Sequence, residues 1–124
     1  MMKADELKSR TKKHALAIIK LTEKMPNHRA GWTFTDQIIR SATSVAANYR
    51  AACRAKSDKD FISKMETVVE EADETMFWLE MIQESEILGK GDAIQPLILE
   101  TNELLSIFVA SVKTVKNRLN STKS

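Results

Sequence analysis

Carboxylate side chains are concentrated in the third quarter of the chain, and such a cluster on a helix is a candidate metal centre. Its members are Glu66, Glu70, Asp73, Glu74 and Glu80. A di-iron site in a helical bundle needs inward-facing glutamates together with two Glu-x-x-His steps. The two histidines are His14 and His28, and the residues three positions before them are Thr11 and Met25. The sequence therefore predicts no metal site and no cofactor.

The residue types give no support for nucleophilic catalysis either. The single cysteine, Cys53, lies among alanines, so we expect it to be a small packing residue. One cysteine cannot form an internal disulfide or a cysteine-based zinc site. His14 lies on an inner helix face, where we expect a hydrogen-bonded packing residue rather than a base. Phosphate-binding loops and dinucleotide-binding motifs do not occur in the sequence. We therefore expect a protein that is not an enzyme.

Basic side chains form the remaining chemical pattern. Arg40, Arg50 and Arg54 lie within one arc on the outer side of the second predicted helix, and Lys56 and Lys59 follow in the turn. Guanidinium groups held on a rigid helix suit phosphate oxygens. These five residues are the predicted nucleic-acid-binding surface, for structured RNA or DNA.

The distribution of charge leaves an alternative open. The first half of the chain is basic and the third quarter is acidic. The arginines can therefore pair with the glutamates of the third predicted helix, within one copy or across an interface. In that case the protein is a protein-interaction scaffold that binds no nucleic acid.

Glycine and proline are too scarce for a sheet protein. The 124 residues include 3 Gly and 2 Pro, whereas an all-β domain needs turn residues about every 8 to 12 positions. Hydrophobic residues make up 43% of the chain, which is enough for one core. We therefore predict a single all-α domain over residues 1–124.

Three breaks divide the chain into four helices. Pro26 disfavours helix at the residue before it and predicts a loop. Ser57 predicts an N-cap, with Asp60 three residues later. Gly89 is expected to end a helix in the left-handed conformation, and Asp92 to cap the next helix. The predicted helices cover about 3–25, 34–56, 58–88 and 93–120. Short loops between them predict an antiparallel up-down-up-down four-helix bundle.

Apolar residues recur at three- and four-residue steps, the pattern of left-handed bundle packing. In the second predicted helix this seam consists of Ile38, Ala42, Val45, Tyr49 and Ala52. In the third it consists of Phe61, Met65, Val68, Ala72, Met76, Leu79 and Ile82, with Met76 one position off the period. In the fourth it consists of Ile98, Thr101, Leu105, Phe108, Val112, Val115 and Leu119.

Some apolar residues do not fit these inner seams. They are Leu16, Ile19, Phe77, Trp78 and Met81. An apolar arc wider than one bundle can bury indicates a second contact. We therefore predict a homo-oligomer whose interface uses the outer faces of the first and third helices. The alternative is that a flanking loop, such as one containing Trp32, covers these groups.

The N-terminal segment predicts a cytoplasmic protein. It lacks the uninterrupted apolar stretch and the small-residue cleavage site of a signal peptide. The longest apolar run in this segment, Ala15 to Ile19, is too short to cross a bilayer. We expect no membrane partner.

The second and third predicted helices carry a family resemblance. The motif is Gln37-x-x-Arg40-Ser41-Ala42-x-Ser44-x-x-x-Asn48, followed by Arg54–Phe61 and Glu70–Glu80. These stretches resemble a bacterial four-helix bundle family whose members include proteins encoded in 23S rRNA intervening sequences. That family is related to the accessory variability protein of diversity-generating retroelements. The resemblance extends over roughly residues 10–118.

The resemblance implies an antiparallel four-helix bundle that assembles as a homopentamer and has no catalytic activity. For the retroelement relative it implies binding to nucleic acid and to a reverse transcriptase. Arg40 corresponds to the motif arginine, with Ser41, Ser44 and Asn48 beside it. Many members continue with Ile-Ala-Glu-Gly where this chain has Tyr49–Ala52, so the acidic residue and the glycine are replaced.

Overall fold

Four helices pack side by side in chain order. The computed structural model describes residues 3–91 and 93–121. The helices are α1 (Ala4–Thr22), α2 (Arg29–Ala52), α3 (Asp58–Glu84) and α4 (Gln95–Ser121). Each helix packs against the next, and α1 contacts α4, which closes the bundle. The prediction of an all-α, antiparallel up-down-up-down four-helix bundle is confirmed.

The apolar seams meet in a core with two halves. One half contains Tyr49, Met65 and Phe108, and the other contains Ile18, Ile38 and Leu79. Every residue of the predicted α2 seam is buried. In each of two other seams one predicted residue gives way to its neighbour, while Met65, Val68 and Phe108 are among those buried as predicted. In α3 the fully buried residue is Thr75 and not Met76, and in α4 it is Leu104 and not Leu105.

The start of α2 differs from the prediction. The helix begins at Arg29, five residues before the predicted start, and His28 is its extended N-cap residue. The reason lies in Gly31, which is buried inside the first turns. A Cβ atom at this position would lie 2.1 Å from the Pro26 carbonyl oxygen. The missing side chain lets the proline turn fold directly against the helix, so Trp32 belongs to α2 and not to a loop.

Replacing Gly31 by alanine should therefore destabilise the protein. Alanine normally raises helix stability over glycine by about 1 kcal/mol. Here the methyl group would collide with backbone, and overpacking of this kind costs about 1–3 kcal/mol. Urea unfolding of Gly31→Ala should give a lower midpoint than wild type. A more stable Gly31→Ala variant would contradict the close approach of Pro26.

The prediction for the start of α3 is confirmed, and the prediction for its end is not. The Ser57 hydroxyl accepts a hydrogen bond from the Asp60 backbone N–H at 3.1 Å, so the predicted N-cap is confirmed. Gly89 takes the predicted left-handed conformation, with a φ of +88°, but it lies in the following loop, so the prediction that it ends the helix is wrong. The helix ends earlier, at Glu84, and Glu86 takes the left-handed position with a φ of +54°. Asp92, the predicted cap of α4, lies outside the described residues.

Glu86→Gly should stabilise the bundle. A left-handed conformation costs a residue with a side chain roughly 1–2 kcal/mol relative to glycine. The greater freedom of glycine in the unfolded chain offsets part of this gain. We expect the free energy of unfolding to rise by up to about 1 kcal/mol. Ser85→Gly is the matched control, because Ser85 is right-handed, and it should lower stability. Thermal unfolding of both variants measures the difference in sign.

Candidate functional site

The basic groove lies between the first half of α1 and the end of α2. These segments are neighbours because the helices run antiparallel. The groove has a volume of about 530 Å³. Its lining residues are Lys8, Ser9, Lys12, Lys13, Leu16, Arg50 and Arg54. Five of the seven are cationic, and none is acidic.

The cations of the basic groove form two facing rows. Lys8 and Lys12 are one helical turn apart on α1, which separates them by about 6 Å along the axis. Arg50 lies in the last turn of α2, and Arg54 lies in the turn just after the helix. Both arginines are exposed. Lys8 forms an ion pair with Asp5 at 3.0 Å. Across residues 3–91 and 93–121, no other ion pair involves a cation of this groove.

Three other arginines are paired with acidic residues of the same chain. Arg10 forms a two-pronged pair with Glu100, with both N···O distances at 2.7 Å, and reaches Glu103 at 2.9 Å. Arg118 pairs with Asp58 at 2.9 Å. These pairs join α1 to α4 and α4 to α3. The hydrogen bond to Asp58 raises the pKa of Arg118, and the same contact lowers the pKa of Asp58.

Arg40 belongs to this paired group and not to the basic groove. Its guanidinium contacts Glu71 at 2.9 Å and also contacts Glu74, and these hydrogen bonds raise the pKa of Arg40. Trp78 Nε1 donates to the same Glu74 carboxylate at 3.2 Å. The α2 arginine therefore connects α2 to α3. The protein-interaction scaffold alternative predicts that the arginines pair with glutamates of the third helix, and Arg40 does so.

The other polar residues of the motif around Arg40 also make bonds within the bundle. Thr75 Oγ1 lies 2.9 Å from Ser41 Oγ across the α2–α3 boundary. Asn48 Nδ2 donates to the Ser44 backbone carbonyl at 2.8 Å. The stretch with the most specific family resemblance thus contributes to the packing of α2, and its arginine and first serine bind α3.

His14 is a buried packing residue, as the sequence predicts. It is 4% exposed, and its Nε2 lies 2.7 Å from Thr101 Oγ1 on α4. Thr101 Oγ1 donates to the Leu97 carbonyl at 2.7 Å, so it accepts from His14, which makes Nε2 the protonated nitrogen. The other nitrogen, Nδ1, is buried with no hydrogen-bond partner. Burial lowers the pKa of His14. The charge of Glu100 raises this pKa, and the charge of Arg10 lowers it further.

The five residues of the predicted nucleic-acid surface lie at several places. Arg50 and Arg54 line the basic groove with the α1 lysines. Lys56 lines a different cavity at one end of the bundle, and Lys59 lies on the side of α3 that faces α4. The groove lysines Lys8, Lys12 and Lys13 were not among the five. These lysines could have been assigned to the surface from the predicted antiparallel order of the helices, because that order places the start of α1 beside the end of α2.

The predicted interface residues are divided between surface and interior. Leu16 is 60% exposed, Phe77 is 50% exposed and Met81 is also exposed. Ile19 and Trp78 are half-buried. The Trp78 ring packs against Phe34 and, edge-on, against Phe77, with centroids 6.0 and 4.9 Å apart.

The alternative that a Trp32 loop covers this apolar surface is not what the structure shows. Trp32 lies in α2, is 55% exposed, and donates its indole N–H to Asn27 at 2.8 Å. Leu16 and Phe77 keep at least half of their surface exposed. The surplus apolar surface on α1 and α3 is therefore a property of the folded single copy.

Residues 3–91 and 93–121 contain neither a candidate metal site nor a membrane-spanning helix. No group of three or more His, Cys, Asp or Glu side chains there could hold a metal ion. Within the same ranges, none of the helices combines the length and apolar character needed to span a bilayer.

The fold and the motif define a class of small helical-bundle proteins. A family model described as 23S rRNA-intervening sequence protein matches residues 5–110, and the chain belongs to this family. The resemblance noted in the sequence is confirmed. A crystal structure of a protein of unknown function from the S23 ribosomal protein family of Bacteroides thetaiotaomicron VPI-5482 is similar, with a TM-score of 0.78 and 29% identity. The similarity covers 86% of this chain and 97% of that one. No curated protein matches the chain.

Proposed function

We propose that this protein is a non-enzymatic, oligomeric helical bundle that binds structured RNA or DNA through the basic groove. The observation that carries the proposal is the set of five cations lining one groove, of which Lys8 alone forms an ion pair in the described residues, with Asp5 outside the lining. Lysine and arginine side chains that neutralise phosphates release condensed counterions, which drives binding. Arg40 is left out of this surface because Glu71 and Glu74 bind it.

Oligomerisation strengthens a groove of this size. Several copies in one ring present several grooves, so avidity rises without any strong single site. The exposed residues Leu16 on α1 and Phe77 and Met81 on α3 supply apolar contact. In this contact α1 of one copy packs on α3 of the next through these apolar residues, and the cations of the basic groove stay outside it. Such a head-to-tail contact gives a ring when the rotation between neighbouring copies closes, and the resemblance implies a ring of five copies.

The mass of the particle in solution tests the oligomer. A stable interface buries about 800 Å² per partner, which two helix faces can supply. We expect sedimentation to give a multiple of the 14.0 kDa chain mass, and Phe77→Glu to reduce it. Val109→Glu, at a similarly exposed apolar position on α4, is the control and should leave the mass unchanged. A wild-type monomer would contradict the proposed interface.

A paired set of charge variants tests the binding surface. Arg50→Gln with Arg54→Gln removes two charges from the basic groove. Lys113→Gln with Lys116→Gln removes two charges on the α3–α4 side, opposite the groove. Each phosphate contact is worth about fivefold in affinity near 0.1 M salt, so the groove variant should bind RNA or DNA about 25-fold more weakly. The control should change affinity by less than about twofold. Fluorescence anisotropy gives both values, and undetectable wild-type binding would refute the proposal.

A second candidate is the protein-interaction scaffold. Arg10, Arg40 and Arg118 pair with acidic residues of their own chain, and this observation favours it. Charge reversal with Arg50→Glu and Arg54→Glu separates the two functions. Disassembly of the oligomer, with no nucleic-acid affinity in the wild type, would support the scaffold. Retained assembly with lost nucleic-acid affinity would support the binding function. A protein partner such as a reverse transcriptase, and a cytoplasmic location, stay predictions.

A further inference from the structure

We infer that the basic groove holds the sugar–phosphate backbone of a nucleic acid and does not read its bases. This inference rests on the nucleic-acid binding proposed above and specifies what that site recognises. It predicts binding that is independent of base sequence. It also predicts that a phosphate chain without bases occupies the same groove.

The packed pair of helices α1 and α2, which hold the groove cations, is too wide to read the bases of a duplex. The major groove of B-form DNA is about 12 Å wide and admits one helix, whose diameter with side chains is about 10–12 Å. The cations of the basic groove lie between two packed helices, α1 and α2, whose axes are about 8–10 Å apart. A pair of helices is too wide to enter, so the Arg50 and Arg54 guanidiniums reach phosphates at the rim and not guanine edges.

The lining residues also favour phosphates over bases in a single strand. Recognition of unpaired bases uses stacking on aromatic rings or arginine planes together with side chains that hydrogen-bond base edges, and an arginine without such partners contacts phosphates as readily. The basic groove contains no aromatic, amide or carboxylate side chain. Its two uncharged members are Ser9 and Leu16, and Leu16 offers no hydrogen bond. What the groove provides is positive charge from both sides, which matches a chain of phosphates.

The spacing of the cations suits an extended phosphate chain. Two residues on each wall are four positions apart in sequence, Lys8 with Lys12 and Arg50 with Arg54, so charges repeat along the groove. Because the helices are antiparallel, both rows follow the same line. If all five cations neutralise phosphates, log Kobs should fall with log salt with a slope of about −3.5 for a single strand.

The first experiment compares sequences. Single-stranded oligonucleotides of equal length, too short to bridge two grooves, are titrated at several salt concentrations. We expect affinities within about threefold of one another and a slope near −3.5, which Arg50→Gln with Arg54→Gln should reduce by about 1.4. Lys113→Gln with Lys116→Gln should keep the wild-type slope. A difference above tenfold between sequences would overturn the inference while leaving the proposed function in place.

The second experiment uses inorganic polyphosphate, which has phosphates and no bases. We expect polyphosphate to displace a labelled oligonucleotide. Arg50→Gln with Arg54→Gln should reduce the affinities for polyphosphate and for the oligonucleotide by the same factor. If polyphosphate fails to compete with a bound oligonucleotide, the backbone-only inference is wrong. If neither RNA nor DNA binds the wild type at low salt, the proposed function and this inference fail together.

Discussion

Below pH 6.5 the free energy of unfolding should fall by up to about 1.4 kcal/mol per pH unit because of His14. Its pKa in the folded state is lowered from the ordinary value of 6.5. In the pH range between the folded and unfolded pKa values the unfolded chain binds one more proton, so stability is lost as pH falls. One proton corresponds to about 1.4 kcal/mol per pH unit.

The geometry around His14 gives the physical reason. The Nε2 hydrogen already binds Thr101 on α4, and Nδ1 is buried without a partner. A second proton would place an unpaired N–H and a positive charge in the core, near the cation of Arg10. Glu100 on α4 attracts this charge, but it is already bound by Arg10. Protonation of His14 should therefore weaken the packing of α1 on α4.

Urea unfolding between pH 7 and pH 5 measures this effect. His14→Gln keeps a donor toward Thr101 and cannot titrate, so its stability should be flat in this range. His28→Gln, at the exposed histidine, should keep the wild-type dependence. Glu100 and Asp58 have lowered pKa values, so their contributions are present above pH 4.5 and 3.8 and are lost only below these values. A wild-type stability that is constant from pH 7 to 5 would contradict the neutral buried His14.

Phe108→Ala should cost about 3–5 kcal/mol, the largest change in stability that we expect from one residue. The Phe108 ring is 0% exposed and stacks on Tyr49 with ring centroids 5.7 Å apart. Removing it leaves a cavity in one half of the core and ends this aromatic contact. A typical domain of this size is stable by about 5–15 kcal/mol, so the variant should lose a large part of its stability.

The neighbouring residue provides the control for Phe108→Ala. Val109 is 51% exposed on the same helix, so Val109→Ala should change the free energy of unfolding by less than about 0.5 kcal/mol. Thermal unfolding followed by circular dichroism gives both values. Equal effects of the two substitutions would show that the register of α4 is wrong.

The helices and most of their inner faces could be predicted from the sequence. Ile38, Val45 and Tyr49 follow the helical period and are all buried. The errors lie at the ends of helices. Gly31 allows the Pro26 carbonyl to approach, which starts α2 early, and α3 ends at Glu84, just before the left-handed Glu86, and not at Gly89. Apolar periodicity contains neither the approach of Pro26 nor the early end of α3.

The candidate site was only partly predictable. Arg40 and Arg50 share one arc of α2, and the sequence gives no reason to separate them. In the bundle Arg40 faces Glu71 on α3, whereas Arg50 faces α1, which has lysines and no carboxylate at that level. The groove therefore joins two groups of cations, the α1 lysines and the two arginines, that are more than 30 positions apart in the chain.

The sequence alone determined that four amphipathic helices form an antiparallel bundle, because apolar periodicity and helix caps are local properties. It also determined that apolar residues such as Phe77 exceed what one inner seam can hold. Only the tertiary structure decided which cations are paired and which line a groove. Ion pairing depends on distances of 3–4 Å between side chains of different helices, and these distances exist only after the helices have packed.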